Sequence, residues 1–151
     1  MTTFLTEPLR DEPLIQKVEV LGGSRIIIAS IAPYLFFYNN PSGTVVVKIK
    51  SGAITIFSQD IDLSLIKSQV GTTADYMHLF YPVIPTKALL LEKGEYSISI
   101  EAGTYSYSNG SYLGWSSQHE NIQSIFSYTP VDDTKNPLAL RIKVFNKGMV
   151  R

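Results

Sequence analysis

The sequence predicts an all-β domain, a jelly-roll-like β-sandwich with an N-terminal arm and at most one short helix. Three observations predict it. Short runs of alternating apolar and polar residues recur, bounded by Gly, Pro, Asn and Ser at about the 8–12-residue spacing of sandwiches and barrels. The stretch from Leu91 to Trp115 reads as strand, break, strand, turn, strand, with Tyr96, Ile98 and Ile100 alternating against Ser97, Ser99 and Glu101. Within it, Asn109-Gly110 has the composition of a two-residue type I′ hairpin turn, whose central residues both need positive φ. No alternation of strands with helices appears.

Taken in order, residues 1–13 form the arm and residues 14–151 a single domain. Pro8 and Pro13 cannot donate to a ladder, and charged residues cluster between them. The arm is either a free tail or a segment that orders on a neighbouring subunit, with Phe4, Leu5 and Leu9 as anchors. Leu14 to Leu21 alternates and stops at Gly22-Gly23. Arg25 to Ile31 is apolar on both faces, as a central strand would be. Tyr34 to Tyr38 is aromatic and ends at Asn39-Asn40-Pro41-Ser42-Gly43, a turn cluster. Thr44 to Lys50 puts Val45, Val47 and Ile49 on one face, and Ser51-Gly52 turns the chain into a strand from Ala53 to Phe57.

Asp62 to Val70 is the one helix candidate, with Leu63, Ile66 and Val70 at helical spacing, Asp62 as cap and Gly71 as stop. Asp60 to Ile66 also alternates as a strand does. Tyr76 to Tyr81, Thr86 to Leu91, Gln123 to Tyr128 and Leu138 to Phe145 complete the strands.

Composition narrows the function. Lys+Arg and Asp+Glu are both 13, for a formal charge of zero, and the basic residues are scattered. A nucleic-acid partner, which needs clustered cations, is not expected. The chain has no cysteine, which excludes disulfides, zinc-thiolate sites and thiol nucleophiles. The first residues lack the apolar run of a signal peptide, and no segment approaches the roughly 20 apolar residues of a membrane span. The expectation is a chain made in a cytoplasm, without secretion or membrane insertion.

Three segments resemble jelly-roll sandwich modules that recur in bacteriophage tail, fibre and capsid-decoration proteins and in related carbohydrate-binding modules. They are GTVVVKIKSGAITIFSQDIDLSLI, YMHLFYPVIPTKALLLEKGEYSISIEAG and YLGW, within residues 43–116. Leu79-Phe80-Tyr81-Pro82 matches the aromatic strand of that pattern, and Leu91 to Ile100 matches its Leu-x-x-Gly-x-Tyr-x-Ile-x-Ile element. The resemblance implies a non-enzymatic structural protein of a phage virion, capsid decoration before tail, assembled as a homo-oligomer with other virion proteins. It implies no ligand-binding residue. A carbohydrate-binding module is the alternative.

Hairpin geometry supplies the candidate binding residues. A two-residue loop at Asn109-Gly110 pairs Tyr107 with Tyr112 and Tyr105 with Gly114, so Tyr105, Tyr107 and Tyr112 share a face. Leu113 and Trp115 take the other face, toward the core. The tyrosine face suits ordinary cross-strand packing, a subunit interface or a sugar platform, and Gly114 leaves an open shelf beside Tyr105. Catalytic residues are not expected. His78 alternates with Tyr76 and Phe80 in a packed position. Ser117, His119 and Glu120 are too close along an extended chain to converge as a triad. Asp60/Asp62 and Asp132/Asp133 read as solvated turn residues, so neither a metal nor a cofactor is expected.

Overall fold

The computed structural model describes residues 6–21, 25–70, 76–117, 126–129, 138 and 140–145. These residues are mostly strand, arranged in two antiparallel sheets with one short helix. In the first sheet the order is β1 (Thr6–Pro8), β9 (Tyr112–Ser116), β3 (Ile26–Tyr38), β11 (Leu140–Val144), with β6 (Tyr76–Phe80) and β7 (Leu90–Leu91) also paired to β3. In the second the order is β10 (Phe126–Thr129), β2 (Leu14–Val20), β8 (Gly94–Ala102), β4 (Thr44–Ser51), β5 (Ile54–Asp62). Between them lies one core that includes Trp115, Phe37, Leu35, Ile31, Val47, Ile49 and Ile100. Alternation drives this: Val45, Val47 and Ile49 of β4 and Leu140 and Ile142 of β11 are buried, as their period of two requires.

Sheet and core are also tied by polar groups. Gln16 is 1% exposed on β2, and its Oε1 accepts from the Leu138 amide at 2.7 Å while its Nε2 donates to the Lys17 carbonyl. Leu138 bridges Ser117 at the end of β9, so this one amide links the second sheet to the first. Burial is tolerated because both amide atoms are bonded.

Several elements differ from the sequence expectation. The two aromatic-aliphatic runs around Pro33 are one 13-residue strand, β3. Pro33 fits because its missing N–H faces the irregular segment after β6: its carbonyl still accepts from the Tyr81 amide at 3.1 Å, and the ladder resumes at Ile31 and Val83. β5 runs on to Asp62, and the helix α1 (Leu63–Val70) follows at once, so strand and helix readings of this region are each right for a part. The Ser64 amide donates to Asp62 Oδ1 at 3.0 Å, an N-cap, and Leu63 and Ile66 are fully buried. Only Leu90 and Leu91 of the expected 86–91 strand pair.

The arm orders on its own chain. β1 pairs antiparallel with β9 through Thr6↔Ser116, Glu7↔Trp115 and Pro8↔Gly114. Leu9 is fully buried, and its amide donates to the Leu113 carbonyl at 2.8 Å. Leu9 is therefore an anchor in the molecule's own core; Phe4 and Leu5 lie outside the described residues.

Candidate functional site

The two-residue loop at Asn109-Gly110 forms and pairs Ser108 with Ser111, but the tyrosine pairs expected beyond it do not, and the turn explains why. Neither Asn109 nor Gly110 has positive φ, so the turn is not type I′. Unprimed two-residue turns splay the strands they join. The ladder stops after one pair, Ser108↔Ser111, whose amide–carbonyl bonds are 3.2 and 3.1 Å.

Tyr105 consequently leaves the predicted face. It is 4% exposed, and its hydroxyl donates to the Leu9 carbonyl at 2.8 Å and accepts from the Leu113 amide at 3.1 Å. A Cβ on Gly43, which has φ +91°, would collide with the Tyr105 backbone, so only glycine lets the chain pass there. Thr44 and Thr104 brace the same corner: the amide of each donates to the other's hydroxyl, at 2.8 and 3.0 Å. Burial pushes the Tyr105 phenol above its ordinary value of 10.0, against the opposing pull of the Leu113 hydrogen bond. Tyr105 is thus a core clasp between arm and sheet. Gly114 is no shelf either, since the Thr6 side chain lies where its Cβ would be.

Tyr107 and Tyr112 do meet, with ring centroids 5.7 Å apart, and they belong to a much larger array. Register places Tyr34, Phe36 and Tyr38 of β3 opposite Phe80, His78 and Tyr76 of β6, and Tyr38 opposite Tyr112 of β9. All these side chains point away from the core, on the outer face of the first sheet. Tyr34 stacks on Phe80 at 4.4 Å, Phe36 on His78 at 4.5 Å and Tyr38 on Tyr112 at 4.9 Å. Arg141 lies over Phe80 at 3.8 Å and Arg10 over Tyr107 at 4.2 Å, so a cation caps each end of the array.

Near-parallel rings this close must overlap face to face, because coplanar rings would clash. Each of these stacked pairs turns a face of one ring to a face of the other, and the two arginines take a face of Phe80 and of Tyr107. A sugar ring needs a free aromatic face to stack on, and the faces these pairs turn to one another are not free.

The face extends beyond the aromatics. Ile27, Ala29 and Ala32 of β3 share it, with Leu90 opposite Ile27 and Phe145 hydrogen-bonded to the Ile27 carbonyl. Leu90 and Phe145 are 46% and 47% exposed. Its other charged strand residues, Arg141 and Lys143, are paired opposite Ala32 and Ser30. No Asp or Glu occupies a described strand position of this face, and neither Arg10 nor Arg141 has an ion-pair partner among the described residues. Burial against the neighbouring rings holds the His78 imidazole below its ordinary value of 6.5, although its edge reaches solvent. The second sheet's outer face is different in kind. Lys17, Glu19, Lys48, Glu95, Glu101 and Asp60 mix both signs there, and Lys48 pairs with Glu101.

Sequence reasoning missed this array while holding its signal, the alternation of Tyr34, Phe36, Tyr38 and of Tyr76, His78, Phe80. Among the described residues no three His, Asp or Glu are grouped to hold a metal, and no helix is long and apolar enough to cross a membrane. Ser117 is 3% exposed; His119, Glu120, Asp132 and Asp133 lie outside the described residues. Comparison with protein-family models, curated proteins and solved structures finds no match.

Proposed function

We propose that this chain is a non-enzymatic structural protein of a bacteriophage particle, a capsid-decoration or similar surface component, acting through protein–protein contacts. One observation carries the contact part of the reading: β3 is apolar on both faces, yet among the described residues only its inner face packs into the core between the sheets. Sheets with two apolar faces belong in layered structures covered on both sides. Aromatic and arginine side chains are also the residues most enriched at protein interfaces. The jelly-roll topology and the particle setting rest on the sequence resemblance in residues 43–116.

The test is incorporation. The wild-type chain copurifies with the particle through a density gradient, whereas Phe36→Lys, folded by circular dichroism, does not. Absence of the wild-type chain from particles, or retention of Phe36→Lys, overturns the reading. So does a strict monomer that binds a glycan array and loses that binding on Tyr107→Ala, which would establish the carbohydrate-binding alternative.

A further inference from the structure

We infer that the surface docking on this face is acidic: a protein segment that presents Asp or Glu beside apolar side chains. The inference rests on the docking-face reading above and specifies the chemistry of the partner.

Three observations carry it. Arg10 and Arg141 cap the array, Lys143 lies beside Arg141 on the same strand face, and no described strand position there is acidic. Neither arginine has a carboxylate partner among the described residues, so each keeps donors for one. The rings add to this field. Aromatic rings are negative on their faces and positive at their edges, and stacking turns the edges outward. Oxygen-rich groups that reach the edges of these stacked pairs therefore meet a favourable potential.

The same argument weighs against a second copy docking through the same face. A two-fold interface sets a patch against itself. Here it would set Arg141 and Lys143, with Arg10 at the edge, against their own copies on a face whose described strand positions hold no Asp or Glu, and like charges in an interface are repulsive.

The test uses the full chain and three short labelled peptides that alternate Leu with Glu, Gln or Lys, read by fluorescence anisotropy. The Glu peptide binds about tenfold tighter than the Gln peptide at low salt, as a few exposed ion pairs provide, and the Lys peptide binds weakest. The preference shrinks as salt rises, because exposed charges are screened. Arg141→Gln and Arg10→Gln each reduce the Glu-over-Gln ratio by about threefold while leaving Gln-peptide binding in place. Equal binding of the Glu and Gln peptides, preference for Lys, binding of none of the three, or a ratio unchanged in both arginine variants overturns the inference. The docking face itself is judged separately, by the copurification of Phe36→Lys with particles.

Discussion

Removing one oxygen, in Tyr105→Phe, tests how the arm is held. The Tyr105 hydroxyl serves the Leu9 carbonyl and the Leu113 amide, both in residues that are fully buried or nearly so. The variant keeps the ring and its packing and loses two hydrogen bonds. A buried group left without a partner costs about 1–3 kcal/mol, so the pair predicts a loss of about 2–6 kcal/mol. With a urea slope of about 2 kcal/mol per molar, the midpoint falls by about 1–3 M and the slope stays unchanged. The loss is also local. The bond from the Leu9 amide to the Leu113 carbonyl loses its neighbour, so the amides of Thr6, Glu7 and Leu9 exchange faster and trypsin cuts sooner at Arg10. Tyr107→Phe is the control: its hydroxyl meets only exposed Asn109, at 3.3 Å, and its removal changes stability by less than about 0.5 kcal/mol. A Tyr105→Phe loss no larger than the control's, or one without faster exchange in the arm, refutes the clasp.

Four further outcomes follow from the same geometry. Because the folded-state phenol of Tyr105 is raised, its contribution is complete below its unfolded value of 10.0 and lost as pH climbs past it; Tyr105→Phe removes that part of the alkaline decline in stability. For His78 the sign is opposite. A base held below 6.5 stabilises the fold above that pH and loses the contribution as pH falls, so His78→Phe flattens the acid limb of a stability-against-pH curve. Gly114→Ala collides with the Thr6 side chain and costs about 1–3 kcal/mol in urea unfolding. Adding Thr6→Ser, which removes the methyl and keeps the hydroxyl bonded to Ser116, recovers most of it. Asp62→Ala removes the α1 cap and costs about 1 kcal/mol by the same assay.

Period-two patterning made the fold class readable. Val45, Val47 and Ile49, or Leu140 and Ile142, declare an inner face without reference to any other part of the chain. Three features were not readable in this way. Pro33 reads locally as a break, and β3 passes through it only because the facing segment is irregular there, a fact set by distant residues. Asn109-Gly110 has type I′ composition, but the corner made by Gly43, Thr44 and Thr104 directs Tyr105 into the core before a hairpin can extend. The arm residues around Pro8 look free in sequence, because the β9 edge they pair with lies about a hundred positions away. The site followed the same division. Tyr107 and Tyr112 were legible as neighbours, but the array they join needs three strands in register, and no single segment encodes that register.

The placement of the aromatics gives the molecule two separate optical reporters. Its one tryptophan, Trp115, is fully buried between the sheets and emits from an apolar environment. That emission follows loss of the core and is shielded from aqueous quenchers and from events on the outer surface. The stacked tyrosines absorb on that surface instead, close enough to couple electronically and to give a near-ultraviolet dichroism of their own. Unfolding changes both signals, whereas a partner seated on the rings changes only the second. Folding and docking can therefore be followed independently in one unlabelled sample.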